Sequence, residues 1–246
     1  MASFRAPDPE NTPAVNPVVN FLSLLWLIPK REYLKRFRFG REVTENVAGN
    51  DIIVYPEVFN PVIFRTGKYF AELLQRAELG TSRRADGSRK RALDLGAGTG
   101  ILGLVMARRG FEVDSVDINT EAVRCVQANV ARNSLEEVIN VFAGDLFEPV
   151  AGRSYDLITF SPPSFRGEPR NRFELCWRSK DVFERFGEGL PAALNPGGIA
   201  LVLQTSHGDE PGLVRALLST GMQVDVFARK HFGVEIFSVY RLRKPA

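Results

Sequence analysis

The sequence is poor in cysteine and contains no long apolar run. Its 246 residues include only two cysteines, Cys125 and Cys176, which lie far apart and form no C-x-x-C pair. Two cysteines are too few for a disulfide framework or a thiolate metal site, so we expect no metal and a reducing compartment, the cytoplasm. No stretch reaches the length of about 18 to 20 apolar residues that a membrane-spanning helix needs. The N-terminus lacks a basic region followed by an apolar core, so no signal peptide is predicted.

Neither sign of charge dominates the composition. The chain has 32 basic and 29 acidic residues, a formal net charge of +3. This balance allows an anionic partner without requiring one. Basic residues are interleaved with aromatic ones in residues 30–41 and again in residues 166–180. The second of these segments is a candidate docking surface for the substrate.

Segments of strand and helix character alternate from residue 88 to the C-terminus, without an internal repeat. The alternation predicts an α/β fold, a doubly wound, mostly parallel seven-stranded sheet that ends in an antiparallel hairpin. We assign residues 51–246 to this domain, with residues 1–50 as a tail and a small helical extension. The apolar part of that extension is expected to pack on the domain, to cover a substrate, or to touch a membrane surface weakly. Ligands of such sheets bind at the carboxyl ends of the strands.

A glycine-rich turn follows the first strand of the alternating region, in the sequence RALDLGAGTG. Gly96, Gly98 and Gly100 predict that a ligand approaches the backbone closely where the strand gives way to a helix. The spacing differs from the dinucleotide pattern G-x-G-x-x-G, because Ile101 stands where that pattern has its third glycine. A nicotinamide oxidoreductase is therefore disfavoured. A phosphate-binding P-loop is excluded because no Gly-Lys-Ser or Gly-Lys-Thr follows.

The segment from Asp94 to Gly100 resembles the first motif of class I methyltransferases that use S-adenosylmethionine (SAM). The resemblance implies that Asp94 receives the methionine ammonium, directly or through water, and that Asp117 accepts both ribose hydroxyls. Ile118 joins the cofactor site beside Asp117, and Asp145 and Leu146 flank the adenine. Each feature alone is weak, but their order and spacing together predict a SAM site.

The sequence SPPS follows the fourth strand of the region, at residues 161–164. It resembles the Asn-Pro-Pro-Tyr signature of methyltransferases that act on amino or amide nitrogen. By that resemblance the Ser161 side chain and the Pro162 carbonyl orient the acceptor. Pro163, Ser164, Phe165 and Arg166 are expected to contact the substrate. The family has an aromatic residue at the fourth position, whereas this chain has Ser164 and moves the ring to Phe165.

Two further groups of residues complete the predicted site. Residues 54–74 resemble the segment that precedes the first motif in release-factor methyltransferases and related RNA enzymes, which implies that Phe59, Phe64 and Thr66 line the cofactor site. An acceptor hydroxyl would need a base, and the candidates are His207, after a predicted strand, and Glu168. A solvated loop histidine is the alternative role for His207.

The sequence therefore predicts a SAM-dependent methyltransferase that acts on a nitrogen of a protein side chain or an RNA base. A small-molecule O- or N-methyltransferase of specialised metabolism is the alternative enzyme. A non-catalytic SAM-binding subunit is the alternative of another class. The oligomeric state and the identity of the acceptor stay open.

Overall fold

The computed structural model describes residues 6–13, 18, 40–170 and 173–245. The predicted apolar extension, residues 17–29, lies outside this description except for Val18, and so do residues 30–39 of the first basic segment, residues 30–41. The strands are β1 (Val43–Val47), β2 (Asn50–Val54), β3 (Arg91–Leu95), β4 (Glu112–Asp117), β5 (Ile139–Ala143), β6 (Tyr155–Phe160), β7 (Phe165–Arg166), β8 (Arg178–Ser179), β9 (Leu194–Thr205), β10 (Gln223–His231) and β11 (Ile236–Arg243). The helices are α1 (Thr66–Arg76), α2 (Ile101–Arg108), α3 (Thr120–Arg132), α4 (Val182–Ala193) and α5 (Glu210–Leu218). Short 3-10 turns cover Pro9–Asn11, Glu148–Val150 and Phe173–Cys176.

Seven strands form one sheet in the order β10-β11-β9-β6-β3-β4-β5. The five strands from β9 to β5 are parallel, and β11 runs antiparallel to both β9 and β10. The predicted fold class, including the C-terminal hairpin, is confirmed. From β3 the chain first builds one side of the sheet through β4 and β5, then returns to β6 on the other side. The carboxyl ends of β3 and β6 therefore flank the point where ligands of such sheets bind.

Helices cover both faces of the sheet because the strands are apolar on both faces. One core holds α1, α2, α3 and the β1–β2 hairpin, and a second core holds α4 and α5. The sequence of α2, ILGLVMAR, is apolar on every side, and its residues from Ile101 to Ala107 are buried. Asn119 caps α3, because its side chain accepts a hydrogen bond from the Glu121 N–H at 3.0 Å.

The β1–β2 hairpin is an element that the sequence patterns did not reveal. Its residues Val47, Ile52 and Val54 are buried in the first core. The buried side chain of Asn129 in α3 bonds to both backbone groups of Ile53 and to the Thr99 carbonyl, at 2.6 to 2.9 Å. The hairpin is thus attached to α3 and to the glycine turn. The predicted boundary between residues 50 and 51 falls inside it, and the division of the chain there stays a prediction.

The sequence NPGG, which is typical of a turn, lies within the span of β9. The register of β6 against β9 shifts there, from the pair Tyr155–Leu194 to the pair Leu157–Ile199. Between these pairs, the four residues 195–198 of β9 lie opposite the single residue Asp156 of β6, and Gly197 has a φ of 74°. The proline and the glycines therefore form a bulge, and β9 continues beyond it to Thr205.

Candidate active site

The glycine turn between β3 and α2 has a backbone that side chains would not allow. Gly96, Gly98 and Gly100 have φ angles of 61°, 57° and 78°, a left-handed conformation that favours glycine. A Cβ on Gly100 would also lie 2.9 Å from the Val126 side chain. Gly96 and Gly98 line a cavity at the carboxyl edge of the sheet, whereas Gly100 does not. Gly100 instead lets α2 begin close to α3.

Asp94 lies beneath this turn and is fully buried. Its carboxylate accepts hydrogen bonds from the Gly103 N–H in the first turn of α2, at 2.9 Å, and from the Thr159 hydroxyl, at 3.1 Å. Burial raises the pKa of the Asp94 carboxyl to about 7, although both hydrogen bonds act in the opposite direction. Asp94 does not line the cavity. Its position is that of a residue that fixes the turn and the start of α2.

Asp117 ends β4 and lines the cavity. Its two carboxylate oxygens accept hydrogen bonds from the Gly98 N–H and the Asn119 N–H, each at 2.8 Å. Burial raises the pKa of Asp117, and these two hydrogen bonds oppose that rise. Ile118 next to it is 48% exposed and presents an apolar surface to the cavity. Asp117 is therefore an acceptor at the cavity wall that also holds the glycine turn.

The turn after β5 brings Gly144, Asp145 and Leu146 to the same cavity. Gly144 packs so tightly that a Cβ would lie 2.9 Å from the ring of Pro149. Leu146 has a φ of 46°, which is unusual for a residue with a side chain. Asp145 forms an ion pair of 2.5 Å with Arg185 of α4. The predicted adenine residues are therefore held in a defined conformation.

An aromatic cluster closes another side of the cavity. The rings of Phe59 and Phe64 stack with centroids 4.4 Å apart, and Trp177 meets both rings edge-on at 5.1 and 4.6 Å. Asn60 holds the loop that carries the two phenylalanines, because its side chain accepts hydrogen bonds from the Val62 and Ile63 N–H groups. Thr66, at the start of α1, lines the cavity beside them.

Trp177 reaches this cluster through the arginine-rich segment that follows the SPPS turn. Strand β7 pairs in parallel with β8, and the Phe165 N–H donates to the Trp177 carbonyl at 2.8 Å. This pairing folds residues 175–179 over the cavity, which they line. The C-terminal part of the predicted docking segment, residues 175–179, is thus a wall of the cavity.

The residues of the SPPS turn face the cavity, from Ser161 through Phe165. Phe165 is 38% exposed, and the Arg178 guanidinium lies 5.8 Å from its ring centre. Arg166 does not line the cavity. Its guanidinium is paired with Glu184 and Asp209, each at 2.7 Å, so it joins β7 to α4 and to the start of α5.

His207 follows β9 and lines the cavity close to Glu235, in the turn between β10 and β11. His207 Nδ1 lies 3.7 Å from one carboxylate oxygen of Glu235, and Arg65 lies 3.7 Å from the other. Burial raises the pKa of Glu235, while the charges of His207 and Arg65 oppose that rise. Glu168, the other candidate base, is exposed and pairs with Lys180 at 3.8 Å, outside the residues that line the cavity.

The cavity that these elements enclose has a volume of about 500 Å³, within the range of small-molecule sites. One half is built from the ends of β3, β4 and β5, and the other half from the ends of β6 and β9 and the hairpin turn. Most of the predicted site residues line it: Phe59, Thr66, Gly96, Gly98, Asp117, Ile118, Asp145, Leu146, Ser161, Pro162, Pro163, Ser164, Phe165 and His207. Phe64, predicted with Phe59 and Thr66, also lines it. The predicted residues that do not line it are Asp94, Gly100, Arg166 and Glu168. Trp177 and Arg178, which belong to the predicted docking segment, line the cavity as well. The sequence prediction missed Arg65 and Glu235, which reach the cavity through contacts between distant segments.

A family model, the methyltransferase small domain, matches residues 74–232. The chain belongs to the methyltransferase small domain family. This membership confirms the prediction of a methyltransferase that uses SAM as its cofactor. The chain is 27% identical to a Methanocaldococcus jannaschii protein that is provisionally assigned as a protein N5-glutamine methyltransferase, over 74% of this chain and 90% of that relative. It is 32% identical to the ribosomal RNA small subunit methyltransferase C of Alcanivorax borkumensis, over 62% of this chain.

Among solved structures, the fold is similar to that of the 16S rRNA N2 G1207 methyltransferase of T. thermophilus, which was determined with AdoMet and guanosine. The TM-score is 0.60 at 23% identity, over 83% of this chain. The chain spans 50% of that structure and 42% of the Alcanivorax relative, so it corresponds to about half of these proteins.

The residues of the cavity fit SAM. Asp117 offers carboxylate oxygens to a ribose, and Ile118 offers one of the few exposed apolar surfaces to a purine. The left-handed glycines bring backbone N–H groups to the cavity wall without side chains in the way.

In the part of the chain that the structure describes, no helix is long and apolar enough to cross a membrane.

Proposed function

We propose that this chain transfers a methyl group from SAM to a planar nitrogen of a protein side chain or an RNA base. One observation carries the proposal: the SPPS turn and the glycine turn open onto a single cavity. The ends of β3 and β6, which carry the two turns, are neighbours in the sheet. A donor on the glycine turn and an acceptor on the SPPS turn are therefore placed for direct contact.

Asp117, Ile118, Asp145 and Leu146 would hold the adenosine part of the donor. Asp94 would support donor binding indirectly, by holding the glycine turn in place, because both of its carboxylate oxygens accept hydrogen bonds from protein groups beneath the cavity. The donor supplies an electrophilic methyl group on a sulfonium. Phe59, Phe64 and Trp177 cover the cavity with rings, which keeps water from the reacting atoms.

The acceptor half positions a nitrogen by hydrogen bonds. The Ser161 hydroxyl and the Pro162 carbonyl would accept bonds from the N–H groups of the acceptor, which directs the nitrogen lone pair at the methyl carbon. The two prolines fix the backbone around those acceptors. The exposed ring of Phe165 offers a flat apolar surface for a planar group, in place of the aromatic residue that stands at the fourth position in similar enzymes.

The names of the relatives support nitrogen as the acceptor atom, since they include a glutamine methyltransferase and a guanine N2 methyltransferase. Both targets are planar groups with N–H bonds. Other relatives are named for transfer RNA adenine N6. We place the reaction in the cytoplasm, where such targets are made, and we assign residues 1–50 a role in covering or recognising the substrate.

The test is to incubate the protein with methyl-labelled SAM and a cell extract divided into protein, RNA and small-molecule fractions. Label in protein or RNA is expected. Label confined to small molecules would replace this proposal with the metabolite methyltransferase. SAM binding with no label in any fraction would indicate a non-catalytic subunit.

The Ser161→Ala variant tests the acceptor geometry in the same assay. It removes one hydrogen-bond acceptor from the acceptor half and leaves the glycine turn intact. We expect slower label transfer with nearly unchanged SAM affinity by calorimetry. Equal rates for the variant and the parent would remove Ser161 from the acceptor site.

A further inference from the structure

His207 is fixed between the SPPS turn and the C-terminal hairpin. The Ser206 N–H donates to the Ile236 carbonyl at 2.9 Å, and the Ser206 hydroxyl accepts from the Ile236 N–H at 3.0 Å. On its other side, Gly208 packs against Ser164 so closely that a Cβ would lie 2.6 Å from the Ser164 carbonyl oxygen. The Asp209 N–H donates to that same carbonyl at 2.8 Å. The position of His207 is therefore defined relative to the acceptor turn.

Glu235 gives His207 a partner that a solvated loop histidine would lack. Its side chain is 17% exposed, and its two oxygens each lie 3.7 Å from a basic group, His207 Nδ1 and Arg65. A carboxylate beside one ring nitrogen favours a proton on that nitrogen and leaves the other, Nε2, to accept one. It also stabilises the positive charge that a second proton would bring.

Among the described residues, the other charged groups that line the cavity are Glu57, Arg65, Asp117, Asp145, Arg178 and Arg185. None of them is within ion-pair distance of His207, and Arg65 pairs with the Glu235 oxygen that is not paired with His207. Asp145 is already paired with Arg185. Glu235 is thus the carboxylate that acts on the imidazole.

We propose that His207 accepts the proton that the methyl acceptor loses, and that Glu235 is the positioning residue that orients and stabilises it. The inference rests on the proposed function and narrows the acceptor to a nitrogen with a proton to lose, an amide or an exocyclic amine. Such a nitrogen is a weak nucleophile because its lone pair is delocalised. Removal of its proton prevents an unstable positive charge from remaining on the product.

The nitrogen lone pair forms a bond to the methyl carbon, and the bond from that carbon to the sulfonium sulfur breaks with both electrons going to sulfur. The N–H electrons stay on nitrogen while its proton passes to Nε2 of His207, which becomes an imidazolium facing Glu235. The imidazolium then returns the proton to water, which reaches His207 because its side chain is 45% exposed.

The first test compares kcat for His207→Gln, Glu235→Gln and the double variant with the acceptor found by label transfer. General base catalysis contributes roughly 100-fold or more, so we expect His207→Gln to lower kcat by about that factor. Glu235→Gln should lower kcat by about tenfold, and the double variant should be no slower than His207→Gln alone. Glu235→Asp, which keeps the charge, should recover part of the loss. Unchanged kcat, or losses that multiply in the double variant, would overturn the proposal.

The second test needs no turnover, because the chain has only two histidines. The ring nitrogen signals of His207 and His231 can be followed by NMR, with His231→Gln to assign them. The Glu235 carboxylate favours a proton on Nδ1 of His207, so Glu235→Gln should change the His207 ring nitrogen signals, which report the tautomer, and leave those of His231 unchanged. Unchanged His207 signals would contradict the pairing. If the unaltered protein methylates oxygen, the proposed function is refuted. If His207→Gln methylates nitrogen at the rate of the unaltered protein, only this inference is refuted.

Discussion

Asp117 connects three parts of the cavity through one side chain. It ends β4, holds the Gly98 N–H of the glycine turn, and holds the Asn119 N–H at the start of α3. Its carboxylate has lone pairs left for ribose hydroxyls, since each oxygen accepts only one protein hydrogen bond in the described contacts. Loss of this side chain would remove ligand contacts and loosen the turn at the same time.

We expect Asp117→Ala to weaken SAM binding by more than tenfold, because it removes the ribose hydrogen bonds. Isothermal titration calorimetry measures the change. Asp86→Ala is the matched control, since Asp86 is exposed in a turn outside the cavity lining. Equal affinity for Asp117→Ala and the parent would reject the ribose assignment.

Asp94 makes stability depend on pH. Burial raises its pKa from the usual 3.8 to about 7 in the folded chain, so the folded state binds more protons than the unfolded state between these values. Stability from this group is therefore highest at low pH and falls as pH rises towards about 7. We expect Asp94→Asn to gain stability relative to the parent between pH 5 and pH 8, measured by urea unfolding. A difference between the two proteins that is the same at both pH values would contradict this.

The arginine side chains of the arginine-rich segment, residues 166–180, differ in their charged partners. Arg166 is bound by Glu184 and Asp209, and Arg170 lies 3.8 Å from Glu174. Arg178 lines the cavity, donates to the Arg166 carbonyl at 3.4 Å, and has no carboxylate within ion-pair distance among the residues described. Its charge is therefore available to a negative group on the acceptor.

We expect Arg178→Gln to raise the KM for the acceptor several-fold and to leave SAM affinity unchanged. The effect should shrink at high salt, because salt screens the attraction to an anionic group. Arg170→Gln is the matched control in the same segment, outside the cavity lining. Equal KM values for the two variants would show that Arg178 has no special role.

The sequence predicts the elements of the sheet and the cofactor half of the cavity because their signals are local. The glycine turn, the acidic residues after β4 and β5 and the SPPS turn each follow their strand directly in the chain. Glu235 carried no such signal: it comes near His207 only because β11 lies between β9 and β10 in the sheet. The β1–β2 hairpin was missed for a similar reason, since its attachment depends on Asn129, 76 residues after Ile53.

Binding of SAM in the cavity is expected to stabilise the whole folded chain. A ligand that binds only the folded state stabilises it by about 2.7 kcal/mol at 100 times its Kd. For a chain of this size each kcal/mol raises the Tm by about 2 to 4 °C, so SAM should raise the Tm by roughly 5 to 10 °C. The shift is measured by a thermal melt with and without SAM. No shift with SAM, or an equal shift with NADH, would contradict the assignment of the cavity.

The chemical position of the transferred methyl group tests the proposed nitrogen methylation most directly. The protein is incubated with SAM carrying a deuterated methyl, and the labelled product is isolated and characterised by mass spectrometry and NMR. We expect a deuterated methyl on an amide or exocyclic amine nitrogen of a protein or RNA, formed more slowly by Ser161→Ala. A deuterated methyl on oxygen or carbon would contradict it.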